Sequence, residues 1–170
     1  MIKLIIDKLP RILKNKKRLE DELSVRITNK GKEVEIDGES EDEYIAEKVI
    51  EALNLGFPYS DALEIKRNDF LFEVINIKDH TYRKDLERIR ARIIGTKGKT
   101  FKTLSNLTNC CFELKGNSIG IIGSSEEIKN ANDAIIHLIK GSKHANVYAY
   151  LERHHVKPII DLGLKEKKRK

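Results

Sequence analysis

The sequence predicts an α+β fold built twice: two small units in tandem, each a three-stranded sheet with helices packed on one face, followed by a C-terminal helix. Three observations carry this reading. The chain has 170 residues, which suits one domain or two small ones. An internal repeat joins its halves at an offset of 85: Val34, Ile36, Ala46, Val49, Ile50, Leu53 and Gly56 fall on Ile119, Ile121, Ala131, Ala134, Ile135, Leu138 and Gly141. Each copy reads in the order β-α-α-β-β-α, where only neighbouring strands need pair, so helices gather on one face of a small sheet.

The first copy opens with a strand at Ile2–Ile6. A short helical turn follows from Pro10, since proline is tolerated in a helix's first turn. A second helix carries Leu19 and Leu23 one turn apart. Strands are expected at Val25–Thr28 and Glu33–Asp37, with Val34 and Ile36 alternating, around a Lys30-Gly31 turn. A long helix runs from about Glu41 to Leu53, with Ser40 as N-cap, Glu43 completing a capping box, and Gly56 beyond its end. Residues 54–69 read as a connection, with a turn at Pro58 and one short helix.

The second copy starts with a strand at Leu71–Ile77 and a helix at about Arg83–Ile93. The next helix sets Phe101, Leu104 and Leu107 on one apolar stripe. Strands at Cys110–Lys115 and Ser118–Ile122 are joined by the turn pair Gly116-Asn117. The last long helix of the copy, about Ser125–Lys140, buries Ile128, Ala131, Ile135 and Leu138.

Charge is unevenly spread. Residues 1–69 hold 13 basic and 16 acidic residues, and residues 70–170 hold 20 and 11, so a net of −3 is followed by +9. Such asymmetry points the second half toward a polyanion. No window approaches about 18 apolar residues, so no membrane span is expected. Met1–Asp7 is too short and too soon interrupted for a secretory signal. Adjacent Cys110 and Cys111 offer neither a disulfide framework nor metal spacing, and a reducing, cytoplasmic setting is the natural reading.

The sharpest local signal is Gly95-Thr96-Lys97-Gly98, which joins two helices and is followed by Lys99 and Thr100. Glycine permits positive φ and, lacking Cβ, lets a ligand backbone come close. The N–H groups of Lys99 and Thr100 open a helix, where unpaired donors and the dipole attract phosphate. Ile93 and Ile94 stand just before, able to floor a groove. Residues 81–102 hold eight bases, Arg83, Lys84, Arg88, Arg90, Arg92, Lys97, Lys99 and Lys102, against Asp85 and Glu87. A nucleotide-binding P-loop is excluded, because the glycine it needs five residues before Gly98 is Ile93.

These residues resemble a KH domain of type I, whose GXXG loop clamps single-stranded nucleic acid by its backbone. The resemblance covers about Phe70–Lys140, and Ile2–Leu53 through the repeat. With Glu73-Val74-Ile75, Arg92-Ile93-Ile94-Gly95, Gly98-Lys99-Thr100 and the segment Gly141–Tyr148, the chain resembles the tandem-KH ribosome assembly factors of archaea and eukaryotes. That resemblance implies a degenerate KH domain at 1–56, a linker at 57–69, a KH domain with GXXG at 70–142, and a C-terminal helix and basic tail at 143–170. It implies RNA binding near the 3′ end of small-subunit rRNA, with the rRNA dimethyltransferase, the rRNA 3′-end endonuclease and the alpha subunit of initiation factor 2 as partners. The expected RNA-binding residues are Arg88, Arg90, Arg92, Ile93, Ile94, Gly95, Thr96, Lys97, Gly98, Lys99, Thr100 and Lys102, with strand residues near Phe112 under the bases.

The first copy departs from the pattern. Its loop position reads Leu13-Lys14-Asn15-Lys16, without glycine. Asn15 is left as the residue able to turn left-handed, and Lys14, Lys16 and Lys17 as loose phosphate contacts. This half therefore reads as a scaffold or protein-binding module. The alternative for the whole chain is a protein–protein adaptor with incidental RNA contact. No nucleophile–base constellation, metal-ligand cluster or cofactor motif is visible, so no enzymatic activity is expected. His154-His155 read as surface residues, because neighbours on a helix point about 100° apart. The terminal Lys165–Lys170 run reads either as a solubilising end or as a tail adding salt-sensitive RNA affinity.

Overall fold

The computed structural model describes residues 1–155. The Lys165–Lys170 run lies outside the described residues.

The first unit begins with β1 (Ile2–Ile5), where Ile2 and Leu4 turn inward and Lys3 and Ile5 face solvent. Helices α1 (Leu9–Lys14) and α2 (Lys16–Leu23) bury Ile12, Leu19 and Leu23. Strands β2 (Arg26–Lys30) and β3 (Glu33–Asp37) follow, giving an antiparallel sheet in the order β1-β3-β2. Its register sets Leu4 opposite Val34, and Ile2 and Ile27 opposite Ile36, all on the face that meets the helices. Helix α3 (Ser40–Leu55) closes this core with Ala46, Val49, Ile50 and Leu53, and ends at Gly56, whose φ is 136°.

Two local expectations are corrected here. Ser40 is the first helical residue rather than the cap, and Glu39 takes the cap position without a side-chain bond. The Glu43 carboxylate reaches past Ser40 and accepts the Gly38 N–H at 3.0 Å, because the β3–α3 turn brings that donor within range. The segment after α3 holds helix α4 (Tyr59–Arg67), whose Ala62, Leu63 and Ile65 are buried in the same core as α3.

The second unit repeats the pattern. Strand β4 (Leu71–Asn76) stops one residue short of the expected Ile77, because the Asn76 side chain accepts the Lys78 N–H and turns the chain into a 3₁₀ segment, Ile77–His80. Helix α5 (Leu86–Ile94) starts three residues after Arg83, whose N–H is bonded by the Thr81 hydroxyl. Helix α6 (Lys99–Thr108), strands β5 (Cys111–Lys115) and β6 (Ser118–Gly123), and helices α7 (Ile128–Ile139) and α8 (His144–His154) complete it. Its antiparallel sheet has the order β4-β6-β5, the same as the first. Ile75, Phe112, Ile119 and Ile121 face the helices and join Ile89, Ile93, Leu104, Ala131, Ile135 and Leu138 in a second core.

The outer face of the second sheet is not left to solvent. Ile122 lies in the first core, with Phe72 and Cys111 packed against it. Phe57 meets Phe72 edge-on, with ring centroids 6.1 Å apart. Lys115 on β5 pairs with Asp7 at 3.0 Å and donates to the Asn54 carbonyl at 3.2 Å. The two units are thus joined by a packed apolar seam with a polar rim. Among the described residues no helix is long and apolar enough to cross a membrane.

Candidate nucleic-acid interface

The chain between α5 and α6 is held in backbone conformations that L side chains rarely adopt. Gly95 has φ 77° and ψ 171°, Lys97 has φ 54° and ψ 31°, and Gly98 has φ 74° and ψ 14°. The Gly95 values lie in a region populated essentially by glycine alone. Space demands glycine there too, since an added Cβ would lie 2.7 Å from the Thr100 nitrogen and collide with the Thr100 hydroxyl. Gly98 differs: nothing lies within 4 Å of a Cβ placed there. One glycine lets the loop close on its own helix, and the other leaves its outer side open to approach.

The consequence is a turn whose tip, Thr96 and Lys97, is exposed above the start of α6. That helix has no acidic residue in its first turn and no side-chain cap, so its dipole favours an anion, but the expected Lys99 donor is taken, its N–H bonded to the Thr96 carbonyl within the turn. Lys97, Lys99 and Lys102 are exposed and have no carboxylate partner among the described residues. Ile94 and Phe101 are half-buried beside the turn and supply apolar surface.

Other residues expected at the site are placed elsewhere. Ile93 is fully buried in the second core and touches no solvent. Thr100 is buried beneath Gly95, where it supports the turn rather than reaching outward. Phe112 is buried too, stacked on Phe101 at 5.8 Å, so it stiffens the wall instead of meeting bases. The arginines of α5 do not form one surface. Arg90 donates to the Asn117 side chain in the β5–β6 turn at 2.6 Å. Arg92 points to the other flank, donating to the Leu138 carbonyl at 2.5 Å and to the Ser142 carbonyl. Arg88, one turn from Arg92, is exposed on that same flank. The reason is helical geometry: residues two apart are about 200° apart around the axis.

Reading residue types missed Asn117 and His144. Asn117 looked only like half of a turn pair. The ring Nε2 of His144 lies 2.9 Å from the Arg92 carbonyl, which ties the start of α8 to the end of α5 next to the loop. His144 thus anchors the Gly141–Tyr148 segment beside the glycine loop. In the first unit, Asn15 has φ −111° and ψ 13°, so the expected left-handed turn is absent and the two helices meet at a simple kink. Burial pushes the thiols of buried Cys110 and half-buried Cys111 up to about 11.

Residues 71–156 match the family model of the second KH domain of PNO1 proteins, a eukaryotic-type KH domain of type I. The chain belongs to the PNO1 family. The match spans the glycine loop and both helices around it. RNA-binding protein PNO1 of Oryzias latipes is 37% identical over 140 residues, covering 75% of this chain and 56% of that one. The chain spans about half the length of the sequence relatives it matches. Among solved structures, Dim2p from Pyrococcus horikoshii is 29% identical with a TM-score of 0.82, over 89% of this chain and 98% of that one. A structure described as an a/eIF2alpha–aDim2p–rRNA complex from the same organism is 28% identical with a TM-score of 0.83, over 91% and 93%. The α+β architecture described above, with its paired sheets and C-terminal helices, is that of these KH-domain PNO1/Dim2 proteins.

Proposed function

We propose that this PNO1-family chain binds single-stranded RNA through the Gly95–Gly98 loop and acts in pre-rRNA processing on the 3′ region of small-subunit rRNA. The observation that carries the reading is the run of positive φ at Gly95, Lys97 and Gly98. That run lifts Thr96 and Lys97 into solvent ahead of α6, where a phosphate backbone could pass. Thr96, Lys97, Gly98, Lys99 and Lys102 form the contact, with Ile94 beneath. A KH clamp of this kind holds about four nucleotides. Support for the target comes from relatives named as pre-rRNA-processing proteins and from the Pyrococcus complex that contains rRNA. The same complex supports the alpha subunit of initiation factor 2 as a protein partner. The rRNA dimethyltransferase and the 3′-end endonuclease rest on the family resemblance. The first unit, with its kinked loop and acidic balance, serves as the scaffold.

The test compares two loops in the full chain. Thr96→Asp with Lys97→Asp, and Lys14→Asp with Asn15→Asp, each change the formal charge by the same three units. With both variants folded by circular dichroism, the first should lose at least tenfold more affinity for a single-stranded RNA, about 1.4 kcal/mol. Equal losses would reject the clamp at residues 95–98.

A further inference from the structure

We infer a second phosphate-binding site on the opposite flank of α5 from the loop groove, which lengthens the RNA footprint. The inference rests on the RNA-binding reading above. Between α5 and the α7–α8 corner lies a cavity of about 380 Å³, lined by Arg83, Asp85, Arg88, Ile89, Arg92, Leu138, Ile139 and Gly141. Three arginines and one aspartate are among its lining residues. Arg92 is already engaged with the Leu138 and Ser142 carbonyls, so its charge is fixed in the cavity wall. Arg83 and Arg88 are exposed, and their guanidinium groups have no hydrogen-bond or ion-pair partner among the described residues. Ile89, Leu138 and Ile139 are buried and form a rigid floor.

An uncompensated pair of guanidinium groups beside a third, held one, suits phosphate, which guanidinium binds with paired N–H donors. The floor is apolar but offers no exposed aromatic ring, so the site fits a backbone phosphate rather than a stacked base. The route from the groove is short. Arg90 marks the groove flank through Asn117, and Arg88 and Arg92 mark the far flank. Between them the crest of α5 carries Ala91, exposed and small, with Glu87 one turn away. A strand leaving the loop at Lys97 can cross the crest over Ala91, a helix width of about 10–12 Å, and set a phosphate between Arg83 and Arg88.

The test uses the full chain, oligouridylates of four and about ten nucleotides, and Arg83→Gln with Arg88→Gln. The tetranucleotide should bind the variant within twofold of the parent. The longer RNA should bind the parent more tightly than the tetranucleotide does, and should lose at least tenfold on the double substitution. Two lost contacts to a single strand should also flatten its salt dependence by about 1.4 in logarithmic slope. Several outcomes overturn the site: no gain with length in the parent, equal losses at both lengths, or no loss at either. The last would leave the cavity to an acidic protein partner. Failure of the loop reading is separate, because Thr96→Asp with Lys97→Asp would then leave the affinity for the tetranucleotide intact.

Discussion

Phe57 of the first unit lies directly on Gly120 of the second. A Cβ added to Gly120 would stand 2.6 Å from Phe57 Cε2 and 3.0 Å from a Leu55 methyl. The central strand of the second sheet is therefore bare at the point where the first unit's largest buried side chain sits. This contact, with Phe57 edge-on to Phe72, makes the outer face of one KH sheet part of the other unit's core. A fragment beginning near residue 70 would expose that face, so binding measurements belong on the full chain.

Gly120→Ala should destabilise the protein by about 1–3 kcal/mol, the range for overpacking a filled core. Glycine in a strand interior normally costs stability relative to alanine by roughly 0.5–1 kcal/mol, so the sign itself reports the contact. Urea denaturation would measure it. Combining Gly120→Ala with Phe57→Leu should recover part of the loss, because residues in contact are not additive. Stabilisation by Gly120→Ala alone would mean the two units are not seated as described.

The two loop glycines should respond differently. Gly95→Ala places a side chain both in a glycine-only backbone region and against Thr100, at a cost of about 1–3 kcal/mol. Gly98→Asn keeps a left-handed residue that asparagine tolerates, in open space, and should change stability by only about 0.5 kcal/mol. Thermal melts of the two variants would separate them. RNA titration should find Gly95→Ala impaired through distortion of the loop.

The cysteines give a pH dependence with a definite sign. Burial raises both thiols from 9.0 to about 11, so the unfolded chain loses these protons first as pH rises. Their contribution to stability is fully present below pH 9 and is lost between pH 9 and about 11. Cys110→Ala with Cys111→Ala should flatten that alkaline decline in denaturation midpoints. In the parent, a thiol reagent at pH 8 should label slowly until denaturant is added.

Most of the fold is legible in the chain because its signals are local. Val34 and Ile36 alternate as a half-buried strand must, Leu19 and Leu23 recur at helical spacing, and the copies echo each other from Val34 to Gly141. The loop was legible for the same reason: two glycines and two lysines at fixed spacing describe a turn and its charge together. Element ends were less so. Ser40 has the composition of a cap, yet Glu43 accepts from the Gly38 N–H and pairs with the Met1 amine instead. Asn15 has the composition of a left-handed turn, yet its φ of −111° joins the two helices without one.

By itself the sequence determined the repeated β-α-α-β-β-α order, the position of the glycine loop and the excess of positive charge around it. These depend on backbone preference, periodicity and residue type, all of which act within a few residues. Only the tertiary structure decided which side chains are free to meet a ligand. Ile93 and Ile94 are neighbours, but one is sealed in the core while the other stays half-open. Arg90 and Arg92 are two residues apart, but one turns to Asn117 and the other to the end of α7. The seating of Phe57 on Gly120 was equally beyond a linear reading. Burial and hydrogen-bond partnership depend on groups tens of residues away, and those partners exist only once the chain has packed.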